Sequence, residues 1–281
     1  MIKQDQKRLA EAFRQKHHAP PLLLLPNAWD AMSARVFEAA GFDAIATTSG
    51  GVAWALGFSD GEKAPWSEVV AATERIVWMV RVPVTADIEG GYGETPNQVA
   101  SRVAEIIRTG VVGINLEDST PSADMPIRPV EDAVDRIRAA RDAAKADGVP
   151  LVINARVDLY LKHIGDDETR FAETVRRGKA YIAAGADCVF PFGLTDVKII
   201  ADLVAALKVP INIVGRSGGP SVARLEQLGV ARISTASGPS LVAMSVTRQI
   251  ADELRATGEF NMLESQIKRA DAQQLFAARP S

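Results

Sequence analysis

The 281 residues carry a formal net charge of −3, with 47% hydrophobic and 24% charged residues. That is enough apolar material to fill the core of one large α/β domain spanning 1–281. Lysines and arginines are scattered and build no basic surface for nucleic acid, so the expected partner is a small anionic substrate. Cys188 is the only cysteine, which excludes an internal disulfide framework and makes a reducing cytoplasm the default compartment. The polar start MIKQDQKRLAEAFRQKHH has no apolar core of a secretory leader, and no apolar run reaches the length of a membrane span.

In chain order, Gln4 to Lys16 is predicted as an extra helix that closes the bottom of the fold. Eight apolar runs of strand length follow: Leu22 to Leu25, Ala44 to Thr47, Val82 to Ala86, Val112 to Leu116, Leu151 to Ala155, Cys188 to Phe190, Ile211 to Val214 and Ile233 to Thr235. The segments between them have helical periodicity. Thr95-Pro96-Asn97-Gln98 is a capping box with Pro at the first helical position, opening a helix that runs to Gly110 and stacks Val99, Val103, Ile106 and Ile107 on one face. The next helix carries Val130, Val134, Ile137 and Ala140, and the one after Thr195 carries Val197, Ile200, Leu203, Val204 and Leu207. Apolar strands alternating with amphipathic helices predict a parallel sheet, and eight such units predict a (β/α)8 TIM barrel. An open doubly wound sheet fits less well: the strand number is too high, and Pro-Asn-Ala-Trp-Asp follows the first strand where a glycine-rich nucleotide turn would stand. The eighth helix ends near Gly258, and the tail Glu259 to Ser281 reads as polar and helical, fitting either a subunit contact or a frayed terminus.

In a parallel barrel, chemistry belongs at the C-terminal strand ends. Those positions hold Thr47-Thr48-Ser49-Gly50-Gly51, Asp87-Ile88-Glu89-Gly90-Gly91-Tyr92-Gly93, Glu117-Asp118 and Asn154-Ala155-Arg156-Val157-Asp158, with Asn212 in strand seven. Carboxylates converging on one mouth repel one another, and a hard divalent cation with oxygen ligands relieves that repulsion. Mg2+ fits, with Mn2+ as the alternative: Asp87 would bind directly, and Asp60, Glu89 and Glu117 would hold waters. The same acids could instead cap helices or pair with arginines. Arg156 has a planar fork suited to a carboxylate or phosphonate, or to a salt bridge with Asp158 or Glu117. Ser49-Gly50-Gly51 offers open backbone N–H groups to an anion or a developing enolate, or simply makes a tight turn.

Ser217-Gly218-Gly219-Pro220-Ser221 and Ser237-Gly238-Pro239-Ser240 follow strands seven and eight, where barrels often bind phosphate, although helix capping alone accounts for both. Cys188 reads as a buried hydrophobe, while His17, His18 and His163 share no ligand spacing and His163 reads as a surface residue.

Taken in order and at these spacings, Pro26-Asn27-Ala28-Trp29-Asp30-Ala31, Thr48-Ser49-Gly50, Ala86 to Gly93, Ile114 to Asp118 and Asn154-Ala155-Arg156 resemble the isocitrate lyase and phosphoenolpyruvate mutase superfamily, over Leu22 to Phe260. The resemblance implies a barrel that exchanges its eighth, C-terminal helix between subunits, assembled as a homotetramer by pairing dimers. It also implies a Mg2+ site acting on 2-oxo acid or enolpyruvate-like substrates. It places the metal on Asp87, a water-mediated shell on Asp60, Glu89 and Glu117, and substrate anchoring on Ser49, Gly50, Gly51, Arg156 and Asn212.

The departures narrow the activity. Members that cleave isocitrate or methylisocitrate carry Lys-Lys-Cys-Gly-His on the loop after strand four, with the cysteine as catalytic acid; here that loop reads Ser119-Thr120-Pro121-Ser122-Ala123-Asp124-Met125-Pro126-Ile127. The lysine and asparagine that the mutases place there are missing too. The expectation is a Mg2+-dependent lyase, such as an oxaloacetate decarboxylase, that stabilises an enolate as a bond at C3 breaks. The rivals are a phosphonomutase or phosphonopyruvate hydrolase, and a barrel that binds 2-oxo acids without catalysis. Specificity is assigned to the loop Ser119 to Arg128 and to Trp54, Phe192 and Tyr92.

Overall fold

The computed structural model describes residues 3–120 and 124–277. Pro121, Ser122 and Ala123 of the strand-four loop, and the tail beyond Ala277, lie outside the described residues. Two parallel sheets make the wall. The first strand is split at Pro26 into β1 (Leu23–Leu25) and β2 (Asn27–Ala28), because proline has no N–H to give to a ladder. In one sheet β2 leads to β3 (Ile45–Thr47), β4 (Val84–Asp87), β5 (Gly113–Glu117), β6 (Val152–Val157) and β7 (Cys188–Pro191) in that order. In the other, β8 (Asn212–Val214) pairs with β9 (Arg232–Ser234), and β9 with β1. A parallel bridge between Val189 and Ile211 joins β7 to β8. With β1 and β2 counted as one strand, this is the (β/α)8 barrel, and every predicted strand has its counterpart.

Helices α1 (Lys3–Gln15), α2 (Ala31–Ala39), α3 (Ser49–Ala55), α4 (Trp66–Met79), α5 (Pro96–Arg108), α6 (Val130–Asp147), α7 (Asp167–Ala184), α8 (Val197–Leu207), α9 (Val222–Gln227), α10 (Gly238–Ala256) and α11 (Arg269–Ala277) complete the chain. In α5 the Thr95 side chain accepts from Gln98 N and Gln98 answers on the cap backbone, and Val99, Val103, Ile106 and Ile107 are buried against the sheet. Each such apolar side chain contributes about 1.5–3 kcal/mol when fully buried. None of the described helices is long and apolar enough to cross a membrane.

Strand register decides which side chains face the barrel axis. Asp87 pairs with Asn115, Asn115 with Asn154, Glu117 with Arg156 and Arg156 with Phe190. With the two-residue alternation of a strand, Thr85, Asp87, Asn115, Glu117, Asn154, Arg156 and Phe190 therefore share the inner face.

The bottom of the barrel is plugged by α1. Phe13 is fully buried, and Gln6 Nε2 donates to the carbonyls of Ile107 and Val111 at 2.8 Å each. Gly113 is required there, because a Cβ would stand 2.8 Å from Thr85 Oγ1 and 3.0 Å from the Phe13 ring.

At the other end of the chain, α10 behaves unlike its sisters. Ser240 is its one buried residue, while Leu241, Val242, Met244, Val246 and Leu254 face outward. Beyond it, α11 returns to α2, where Arg35 Nε donates to the Leu275 carbonyl at 2.8 Å.

His17, just past α1, is buried, with Nδ1 donating to the Phe13 carbonyl at 2.8 Å. Burial first, and then the nearby Arg232, press its pKa down to about 3. The folded state thus keeps this ring neutral where the unfolded chain protonates it, so stability falls as pH drops from about 6.5 toward 3. Urea titrations of the wild type and of His17→Gln across that range should show the wild-type loss to be steeper; identical slopes would remove His17 from the balance.

Candidate active site

The acids stand where β4 and β5 end. The Asp87 carboxylate accepts from the backbone N–H of Ser49 at 3.3 Å and of Glu89 at 3.4 Å, and its own N–H donates to Thr47 Oγ1 at 2.8 Å. The loop that follows turns left-handed at Glu89, Gly91 and Tyr92, with φ of 54°, 99° and 50°. Such backbone strain in residues other than glycine persists where surrounding contacts over-determine it. Here Tyr92 Oη donates to Glu89 Oε1 and Glu62 N to Glu89 Oε2, both at 2.8 Å. At Gly91 a Cβ would press on Val99 at 2.9 Å, so only glycine lets the loop lie on α5.

Two buried arginines hold the acid loops from outside. Arg136 of α6 donates to the carbonyls of Gly90, Gly93 and Glu94 at 3.2, 2.8 and 2.6 Å. Arg177 of α7 meets Asp118 at 3.1 Å, with Tyr181 Oη donating to the same carboxylate at 2.8 Å.

Inside the mouth, Arg156 takes Asp158 side-on through Nε at 2.6 Å and Nη2 at 2.8 Å, and Glu117 through Nη1 at 2.8 Å. The salt bridge posed as an alternative for this residue is therefore real, and both candidate partners take part. A guanidinium has five N–H groups, so one remains on each terminal nitrogen. Its Cζ lies 3.9 Å from the centre of the Phe192 ring.

Burial raises the pKa of Asp87, which Arg156 partly offsets, and raises that of Glu117 in the same way. Glu89 is pushed up to about 7 by burial and then by Asp87. The cluster thus holds more carboxylate than its arginine neutralises. A divalent cation fits that donor set, since hard cations take carboxylate oxygens. Among the described residues no three His, Cys, Asp or Glu groups are close enough to hold a metal together.

A cavity of about 160 Å3 lies over Asp87, lined also by Asn27, Thr48, Ser49, Asp60, Asn115, Arg156, Leu161, Phe190, Phe192, Ser234, Ala236 and Ser237. Of the predicted site residues, it unites Ser49, Asp60, Asp87 and Arg156. Gly50 adjoins it, since a Cβ there would stand 3.2 Å from Asp60 Oδ2 and 3.0 Å from Ser237 Oγ. Gly51 is packed tighter, 2.7 Å from Thr48 and 2.8 Å from Trp29 by the same measure. Ser49-Gly50-Gly51 forms the first turn of α3, with the Ser49 N–H already given to Asp87. Glu89 and Glu117 border a separate cleft of about 60 Å3 with Glu62 and Arg128. Asn212 is fully buried below, its Nδ2 donating to Ser234 Oγ at 3.2 Å, so it reaches the cavity wall only through that serine.

Several cavity residues lie outside the predicted site set. Ser237 heads α10 without a side-chain capping bond and instead meets Thr48 Oγ1 at 2.7 Å on the cavity wall. Capping therefore explains Ser221, which accepts from Arg224 N at 3.2 Å, but not Ser237. Asn115 and Phe190 were also missed; their two-residue spacing from Glu117 and Cys188 was the available signal. His163 is exposed.

A family model described as phosphoenolpyruvate phosphomutase matches residues 13–255. The chain belongs to the phosphoenolpyruvate phosphomutase family. Within the wider isocitrate lyase/phosphoenolpyruvate mutase superfamily, 2-methylisocitrate lyase of Escherichia coli (strain K12) is 31% identical over 72% of this chain and 68% of its own length. Oxaloacetate decarboxylase of Ectopseudomonas mendocina (strain ymp) is 30% identical over 88% and 84%. The solved structure of oxaloacetate acetylhydrolase with the product oxalate superposes with a TM-score of 0.85 at 25% identity, covering 96% of this chain and 94% of that one.

Cys188 is fully buried in β7, and burial pushes its thiol up to about 12. The folded protein should therefore give no reaction with an aromatic disulfide reagent at mildly alkaline pH, and one equivalent once denatured. Rapid labelling of the native chain would place this thiol at the surface.

Proposed function

We propose that this protein is a divalent-metal-dependent lyase of small 2-oxo or 2-hydroxy acids, with oxaloacetate decarboxylation as the reference reaction. The observation that carries the proposal is the small cavity lined together by Asp87, Asp60 and Arg156, whose guanidinium keeps two N–H groups uncommitted. Asp87 would hold the cation directly, with Asp60, Glu89 and Glu117 acting through water. When bound, the cation supplies electron withdrawal from the 2-oxo group. Arg156 orients a substrate carboxylate through its two free N–H groups, and its own position is fixed by Glu117 and Asp158. Ser49, Thr48 and Ser237 place hydroxyls around the charge that develops as the C3 bond breaks. Phe190, Phe192 and Leu161 keep water from the opposite side.

The same geometry speaks against tricarboxylates. Cleavage of isocitrate or 2-methylisocitrate leaves a carbanion that needs a positioned acid, worth about a hundred- to ten-thousandfold in rate. The only thiol is sealed in β7. Decarboxylation leaves an enolate that solvent can protonate. Carbon–phosphorus chemistry is the second reading, supported by Asp60 on the cavity wall.

The assembly proposal rests on α10, whose apolar residues Leu241, Val242, Met244, Val246 and Leu254 are left exposed by the described residues; we assign them to a second copy that receives the helix, in a homotetramer. Light scattering at micromolar concentration should give four times the chain mass, and a monomer would refute it.

Asp87→Ala should abolish Mg2+ heats in calorimetry and lower kcat/KM for oxaloacetate on the order of a thousandfold, with an unchanged circular dichroism spectrum. Unaltered Mg2+ affinity would reject Asp87 as the ligand. Release of glyoxylate from isocitrate, or of pyruvate from 2-methylisocitrate, at the rate of the best oxo acid would reject the proposed chemistry.

A further inference from the structure

Below the cavity floor the barrel interior is polar. Arg232 is fully buried, and among the described residues its one side-chain hydrogen bond runs from Nη2 to Asn115 Oδ1 at 3.2 Å, while Nε and Nη1 have no partner there. Asn154 Nδ2 donates to the same oxygen at 2.8 Å. These contacts settle which way the Asn115 amide points. A guanidinium can only donate, so the atom facing it must be the amide oxygen. With Oδ1 claimed twice from below, Nδ2 is turned away from Arg232.

Asn115 lines the cavity. No hydrogen bond within the described protein uses its Nδ2, and that nitrogen is not among the buried atoms sealed from solvent. An amide donor open to the cavity in a residue only 5% exposed gives its hydrogen bond to whatever fills that cavity, water or a ligand.

We propose that Asn115 is a further substrate-contacting residue, whose Nδ2–H donates to an anionic oxygen of the bound acid, and that Arg232 is the positioning residue that fixes the amide from beneath. The arrangement gives the floor a donor of set polarity beside Asp87. It also gives the Arg232 cation a purpose: the guanidinium lies near enough to Asp87 to feel its charge, so it balances the acid cluster from the dry side. The inference rests on the proposed binding of an oxo acid in this cavity.

Oxalate with Mg2+ is the probe, because it presents the two adjacent oxygens of a pyruvate enolate. Calorimetry on the full-length protein should show Asn115→Asp and Asn115→Ser binding oxalate about tenfold to a hundredfold more weakly, as expected for a lost hydrogen bond to a charged group. Arg232→Met should weaken oxalate by about tenfold, and Arg232→Gln, which keeps a donor toward Asn115, should recover most of it. A merely structural role for Arg232 predicts equal effects of the two substitutions, and that result would overturn its assignment. Both Asn115 variants binding within about twofold of wild type would overturn the Asn115 role and leave the functional reading standing. A wild type that binds no oxalate would overturn both. A crystal structure of the wild-type complex needs no variant: Nδ2 within about 3.2 Å of an oxalate oxygen supports the proposal, and a separation beyond hydrogen-bond reach ends it.

Discussion

Like charges brought out of water repel, and this fold gathers its carboxylates where water is scarce. Asp87, Glu89, Glu117, Asp118 and Asp158 lie on adjacent strands or the loops just beyond them, and burial raises the pKa of the first four. Most of what surrounds them answers that repulsion. Arg156 divides its donors between two acids, Arg177 and Tyr181 hold a third, and backbone N–H groups of Ser49, Glu62 and Glu89 point at the rest. Removing one partner from such a network leaves a desolvated charge unpaired, which costs several kcal/mol. The loops are therefore rigid because their charges leave them little freedom, and Arg136 clamps one of them by its carbonyls.

Much of this was legible in the sequence. The eight apolar runs and the helix signals between them gave the barrel, and the rule that chemistry stands at strand ends pointed to Asp87, Glu117 and Arg156. Other residues were harder to read, for a physical reason. A strand of a parallel barrel is apolar on both faces, so its inward positions do not stand out. Asn115 looks like an interruption between Ile114 and Leu116, and its meaning appears only when register aligns it with Asp87 and Asn154. Spacing is the signal that remained: Thr85 with Asp87, Asn115 with Glu117, Asn154 with Arg156 and Arg232 with Ser234 are each two apart, which puts a polar pair on the inner face of four strands.

Other features escaped because they depend on distant parts of the chain. Ser237 meets Thr48 across the barrel mouth, and nothing near either residue foretells it. Glu89 stands beside Asp87 and also borders a neighbouring cleft, held there by a left-handed backbone and two hydrogen bonds that its place in the chain does not foretell.

Asn27 has an effect on the order of events during folding. Its side chain donates to the Thr47 carbonyl at 2.7 Å and accepts from Thr235 N at 2.7 Å, so one residue near the start of the chain stitches the two sheets together. Thr235 lies 208 residues further on. Contacts of such long sequence separation form late, because the entropy of closing the loop is lost before the contact repays it. During synthesis the first strand must therefore wait for the last, with its edge unpaired until nearly the whole barrel has left the ribosome. Since Asn27 also lines the cavity, the pocket is finished only when the ring closes. A stalled or truncated chain would hold every acid of the mouth and still have no site.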